Sequence, residues 1–198
     1  SNKESKKDRR DIFMTILSGD FKTGLTLNID GEPWVVLDFL HVKPGKGAAI
    51  LKTKMKNLKT GQTLEKNYNA STKFEQATIE KKDAQYSYSD GSTYFFMDPE
   101  TYEMYELNEE QVGFNKYFIV EGNTVSMLFF DGQLLSISVP EKVELTVTET
   151  TPAVKGAASN QTKDAVTETG LELRVPQFIE EGEKIIVFTT DGKYSSRA

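Results

Sequence analysis

Four Asp-Gly dipeptides, Asp30-Gly31, Asp90-Gly91, Asp131-Gly132 and Asp191-Gly192, each stand between runs rich in β-branched and aromatic residues. A two-residue type I′ turn needs positive φ at both central positions. Aspartate tolerates that region and glycine enters it freely, so Asp-Gly between such runs is a strong hairpin signal. The strand-like runs cover residues 25–29, 34–40, 48–56, 134–139, 143–148, 171–175 and 184–189, with period-two alternation clearest in Trp34-Val35-Val36-Leu37-Asp38-Phe39 and Tyr86-Ser87-Tyr88-Ser89. Helix signals are confined to two short stretches, Asp98-Pro99-Glu100-Thr101-Tyr102 and Asn108-Glu109-Glu110-Gln111, each with a capping residue before first-turn acids. The pattern predicts an all-β chain of small meanders or barrels.

Composition agrees. Hydrophobic residues make up 37% and aromatics 11% of 198 residues, which suits small β-domains with thin cores. Two breaks divide the chain. One lies near residues 74–79, where a basic stretch ends, and the other near Pro140. The expected units are residues 14–77, 78–140 and 141–198, each of a size at which small barrels fold. Residues 1–13 read as an extension preceding Met14, the expected natural start. Residues 150–169, rich in Thr, Ala, Ser, Gly and Asn, read as long loops within the last unit.

Several chemistries lack their residues. There is no cysteine, so disulfides, thiol catalysis and cysteine zinc sites are excluded, and a reducing compartment is the expected setting. His41 is the only histidine, so a Ser-His-Asp triad or a histidine metal cluster would have to be built on it alone; no metal site is expected. The acids of the two helical turns, weighed as a catalytic carboxylate pair, are explained by the helix dipole. No apolar run approaches the roughly 18 residues of a membrane span. The charged start lacks a signal peptide's apolar segment, so the sequons at Asn69 and Asn160 read as chance. No catalytic residue is expected.

The net charge of −6 is unevenly spread. Residues 14–77 hold nine bases against six acids, about +3, whereas residues 78–198 hold ten bases against 21 acids, −11. An acidic whole argues against a simple nucleic-acid coat, and the basic first third permits RNA contact mainly at one end.

Between two strand-like runs lies His41-Val42-Lys43-Pro44-Gly45-Lys46-Gly47-Ala48-Ala49. Pro44-Gly45 reads as a tight turn and Gly47 permits positive φ just past it. Lys46, held between two glycines, has no neighbouring side chain to lie against and must project. An ordinary hairpin turn with a solubilising lysine is the plain alternative. A phosphate-cradling loop fails on spacing, since no Ser or Thr follows Lys46 and no glycine stands five residues before Gly45.

Residues 31–56, centred on Val42-Lys43-Pro44-Gly45-Lys46-Gly47-Ala48-Ala49, closely resemble the first domain of bacterial elongation factor P. The likeness continues through Phe21-Lys22-Thr23-Gly24-Leu25 and Phe96-Met97-Asp98-Pro99-Glu100-Thr101-Tyr102. It extends through Glu168-Thr169-Gly170-Leu171, Val175-Pro176-Gln177-Phe178-Ile179 and Glu181-Gly182-Glu183-Lys184-Ile185 to Asp191-Gly192-Lys193-Tyr194-Ser195-Ser196-Arg197. It runs in order from about Met14 to Ala198.

The resemblance implies three β-barrel domains, an SH3-like (KOW-like) barrel and then two OB-like barrels, set in an L similar in outline to a tRNA. It implies a cytoplasmic monomer that binds the 70S ribosome beside the peptidyl tRNA and promotes peptide-bond formation at consecutive prolines, with no cofactor. Lys46 corresponds to the tip residue that reaches the CCA end, supported by Lys43, Pro44, Gly45 and Gly47. In the family this residue is often extended covalently, which implies a modifying enzyme acting on Lys46, with a lysyl-type or an aminoalcohol-type extension. His41 and Arg197 are candidate RNA contacts.

The last domain departs from the family pattern. Gly156-Ala157-Ala158 stands where many members carry Gly-Asp-Thr, and Lys163-Asp164-Ala165 lacks the family's proline. Two other readings remain: a general RNA-binding module of OB and SH3-like barrels, and a carboxylate hydrolase, which lacks a nucleophile–base pair.

Overall fold

The computed structural model describes residues 15–158 and 160–198, so the leader and Met14 lie outside the described residues. The chain is nearly all-β, as the turn pattern predicts. Strands β1 (Thr15–Ile16), β2 (Thr26–Ile29), β3 (Glu32–Val42), β4 (Ile50–Asn57), β5 (Thr63–Asn69) and β6 (Phe74–Gln76) form one sheet in the order β1-β6-β2-β3-β4-β5. It is antiparallel throughout. Strands β7 (Ile79–Ser89), β8 (Thr93–Met97), β9 (Met104–Asn108), β10 (Thr124–Phe130) and β11 (Gln133–Ser138) form a second, ordered β11-β10-β7-β8-β9. Strands β12 (Lys142–Thr150), β13 (Thr162–Thr167), β14 (Glu172–Pro176), β15 (Lys184–Phe188) and β16 (Tyr194–Arg197) form the third, ordered β14-β13-β12-β15-β16. Counted from its own first strand, each of the last two sheets reads fifth, fourth, first, second, third. The two share one five-stranded topology, that of OB-type barrels.

The described residues up to Glu80, with Leu128–Leu135, form one compact unit, and Lys81–Met127 with Ser136–Ala198 form another. In the first, Ile16, Phe21, Leu25, Leu27, Val36, Leu51, Met55 and Phe74 make the core. Leu27, Val36 and Leu51 are fully shielded, and each such side chain contributes roughly 1.5–3 kcal/mol by leaving water. A smaller cluster of Ala77, Phe130 and Leu135 packs with Leu58 and Ile79. In the second unit, Phe118 joins Leu145, Val147, Ala165, Leu171, Val175, Ile179, Ile185 and Val187 in one core. Phe118 ends a 3-10 turn, Gly113–Phe118, that follows the short helix α1 (Glu109–Val112). The Thr169 hydroxyl donates to the Tyr117 carbonyl at 2.7 Å, so the turn is tied to the last sheet by hydrogen bond as well as by packing.

The turn chemistry divides the four Asp-Gly sites. Asp30 and Asp131 adopt φ of 55° and 50°, each followed by a positive-φ glycine, as type I′ turns require. At Asp90 and Asp191 only the glycine is left-handed. The Asp90 carboxylate instead accepts from the Ser92 and Thr93 amides at 3.1 and 2.8 Å, which holds its own carboxyl below the usual range. Asp191 lies in a longer loop closed by Gly192 N–H donating to the Phe188 carbonyl at 2.9 Å. A side chain that can satisfy the turn's own amides removes the need for positive φ at that residue.

Of the two expected helical turns, residues 109–112 form a short helix and residues 98–102 a hydrogen-bonded turn. Asn108 caps α1 and exchanges hydrogen bonds with Gln111 in a capping box. Asp98 accepts from the Glu100 and Thr101 amides, and the turn closes when Tyr102 enters the left-handed region at φ 60°. Residues 150–169 correct the sequence expectation, because β12 runs on to Thr150 and β13 occupies Thr162–Thr167. The inward positions of β13 are Lys163, Ala165 and Thr167, so the strand buries polar and small groups and shows no apolar alternation. Lys163 is 6% exposed, and its Nζ donates to the carbonyls of Thr151 and Ile179 at 2.5 and 2.7 Å. Those carbonyls satisfy the charge that burial would otherwise penalise.

Candidate functional site

The β3–β4 hairpin is the longest ladder in the first unit. It pairs Trp34 with Asn57 at one end and Val42 with Ile50 at the other, so residues 43–49 form the connecting loop. A second bond anchors its base: Ala70 N–H donates to the Ala49 carbonyl at 2.9 Å, beyond the last β4–β5 pair, Ile50 with Asn69. Lys43, Gly45, Lys46, Gly47 and Ala48 are exposed, and Pro44 is half-buried. Lys46 therefore stands clear of the sheet on a loop whose base is held on both sides. Lys43, Pro44, Gly45 and Gly47 flank it.

The two glycines do different work. Gly47 has φ +101°, whereas Gly45 is not left-handed, and a Cβ built on either meets nothing within 4 Å. An L side chain is therefore strained at Gly47 and fits at Gly45. Gly47→Val is expected to lower stability by up to about 1–2 kcal/mol or to displace the amide resonances of residues 43–49. Gly45→Ala should do neither. Urea unfolding and amide spectra of the two variants check this.

His41 sits on β3 opposite Leu51. Its ring meets Phe39 edge-on at 5.8 Å, and Phe39 meets Phe21 at 6.0 Å. Phe21 and Tyr68 both meet Phe74, at 5.2 and 4.9 Å. This chain of rings stiffens the end of the barrel from which the loop leaves, and burial pushes the Tyr68 phenol up. His41 is exposed at the rim of the chain, two residues before Lys43.

The lysines of β4, which enter the charge balance of the first third, share one face of the strand. Burial alternates along the strand: Leu51, Thr53, Met55 and Asn57 point inward, and Lys52, Lys54 and Lys56 point out. Lys52 lies between Leu40 and Asn67, and Lys54 between Asp38 and Glu65. These residues line a shallow groove of about 490 Å³. Among the described residues, Lys43, Lys46, Lys52, Lys54 and Lys56 make no ion pair, and Lys59 with Glu32, at 3.9 Å, is the only pair in the first unit. The Lys-x-Lys-x-Lys spacing from 52 to 56 was the available signal, since on a strand it can only mean one face.

Arg197 belongs to the second unit and the Lys46 loop to the first. It pairs with Glu183, and its guanidinium lies over the Phe178 ring at 4.9 Å. The ion pair holds the Glu183 carboxyl below the usual range. The guanidinium is already engaged as a brace of the last sheet. Among the described residues no cluster of His, Asp or Glu could hold a metal ion, and no helix is long and apolar enough to cross a membrane.

Three family models match in succession. Residues 17–74 match the elongation factor P KOW-like domain, 79–137 the elongation factor P OB domain, and 143–197 the elongation factor P C-terminal domain. The chain belongs to the elongation factor P family. Elongation factor P proteins are translation factors and not enzymes, which settles the choice against a hydrolase. The chain is also similar to solved structures. The chain is 26% identical, at a TM-score of 0.50, to a eukaryotic translation initiation factor 5A from Methanococcus jannaschii, over 63% of this chain and 96% of that one. A translation initiation factor 5A family protein from Naegleria fowleri is 14% identical at a TM-score of 0.46, over 64% and 99%. In this elongation factor P family member, the loop carrying Lys46 falls within the KOW-like match.

Proposed function

We propose that this chain binds the ribosome beside the peptidyl tRNA and stimulates peptide-bond formation where consecutive prolines slow it, with Lys46 reaching towards the CCA end. The observation that carries the reading is the free Lys46 on a loop anchored at both sides, within a domain that matches the family's KOW-like model. The strip of Lys52, Lys54 and Lys56 supports it, because unpaired lysines on one strand face can neutralise RNA phosphates. His41, at the rim beside the loop, is assigned to the same contact. Arg197, already braced by Glu183 and Phe178, is a weaker RNA contact than the sequence implies.

The physical logic is positional. Proline is a constrained acceptor and donor in bond formation. Ordering the tRNA end in a reactive pose recovers rate by removing entropy before the chemical step. The chain itself makes and breaks no bond. An extension on Lys46, lysyl or aminoalcohol in type, would lengthen its reach, and a modifying enzyme would find the residue exposed. The chain acts in the cytoplasm as a monomer. Cross-linking from position 46 tests this: the expected adduct is on the 3′ end of the peptidyl tRNA, and its absence would overturn the reading.

A further inference from the structure

The middle sheet leaves one face uncovered. On strands β7, β8 and β9 the inward residues are Ala84, Tyr86, Phe96 and Leu107, all buried. A bulge between Tyr86 and Tyr88 turns Tyr88 to the opposite side, where it pairs with Phe95, and Phe95 in turn with Glu106. Tyr88 and Phe95 stack face to face, with centroids 4.5 Å apart and planes 17° off parallel. The next row is Gln85, Met97 and Met104. Tyr88 is 47% exposed, Met104 45% and Tyr102, at the end of the β8–β9 turn, 72%. Tyr102 also holds φ +60°, a conformation that costs a bulky residue energy and is kept where the surroundings or a function demand it. Tyr88 and Met104, exposed, share this face with half-buried Phe95 and Met97, and such a grouping of aromatics and methionines marks an interaction surface.

Charge selects the partner. The outer strands of OB barrels commonly take single-stranded nucleic acid, which needs basic residues along the backbone track beside the stacking rings. Here residues 78–140 carry eleven acids and three bases, a balance of −8. Glu106 lies in the aromatic row itself, and Glu100 and Glu103 flank Tyr102, all exposed. Such a face repels phosphates. It suits arginine and lysine side chains, whose stems lie on Tyr88 and Met104 and whose charged heads meet ring faces and carboxylates.

We propose that the outer face of β7–β8–β9, centred on Tyr88, Phe95, Met104 and Glu106, docks a cationic polypeptide segment. The contact uses no residue of the loop that carries Lys46.

The test uses the full chain, ¹⁵N-labelled, titrated with a peptide of alternating arginine and leucine, and separately with oligouridylate of equal length. The peptide is expected to shift amides of residues 85–88, 95–97 and 102–106. The doubly substituted chain Tyr88→Ser, Met104→Ser should bind it at least fivefold more weakly and stay folded, with a lowered unfolding midpoint from the lost Tyr88–Phe95 stack. Glu106→Lys, which leaves that stack in place, should weaken binding equally with little change in the midpoint. Unchanged affinity in the variants would overturn the proposal. So would tighter binding of oligouridylate on this face, or a concentration-dependent dimer of the chain that the same substitutions abolish.

Discussion

Lys46→Ala is expected to fold as the unsubstituted chain does and to lose rescue of a reporter that contains consecutive prolines. Its side chain is exposed and makes no ion pair among the described residues, and surface changes of this kind stay within about 0.5 kcal/mol. The loop's course is set elsewhere, by the Val42–Ile50 pair, the Ala70 to Ala49 bond and the positive φ of Gly47. Removing the lysine therefore removes the probe and leaves its mount. Binding should fall less than activity, because Lys52, Lys54 and Lys56 keep the strand's basic face. Rescue by the variant at the level of the unsubstituted chain would mean that Lys46 is the solubilising residue of an ordinary turn.

The second large effect is structural. Phe118→Ala is expected to cost the second unit about 3–5 kcal/mol, the range for truncating a buried phenylalanine. Phe118 is 3% exposed within the last sheet's core. Phe114 meets it edge-on at 5.0 Å. Phe114 also lies 3.2 Å from where a Cβ at Gly192 would stand, and Leu171 lies equally close. The turn between α1 and β10 thus packs into the neighbouring barrel. The variant should lose the Thr169–Tyr117 bond and lower the unfolding midpoint of Lys81–Met127 and Ser136–Ala198 together, read by urea denaturation with amide spectra. A loss below about 1 kcal/mol would show that the turn is a surface contact and not part of the core.

The all-β architecture was legible because hairpin chemistry is local. Asp30-Gly31 and Asp131-Gly132 adopt the backbone their dipeptides specify. Asp90 and Asp191 take other turns, because loop length and a carboxylate that caps its own amides compete with the type I′ geometry. Strand β13 escaped the reading for a different reason. Its inward residues are Lys163, Ala165 and Thr167, and Lys163 donates to two carbonyls from distant segments. No pattern along a single strand reveals such partners. The shared strand order of the second and third sheets was equally hidden, since topology rests on non-local pairing.

At the site, the loop from Lys43 to Gly47 was legible from Pro and Gly placement. The outward face of Lys52, Lys54 and Lys56 was present in the spacing and needed only the period of a strand to be read. The engagement of Arg197 by Glu183 and Phe178 could not be read, because those partners lie 14 and 19 positions away.

The central claim is that Lys46 meets the end of the peptidyl tRNA. A photoreactive diazirine lysine analogue at position 46, bound to purified ribosomes stalled at consecutive prolines, tests it most directly. Sedimentation first establishes that the labelled chain is on the ribosome. Irradiation is then expected to give an adduct on the terminal CCA of the peptidyl tRNA, and the same analogue placed at Lys193 should give none. A chain that sediments with the ribosome yet labels only ribosomal RNA or protein from position 46 would contradict the claim.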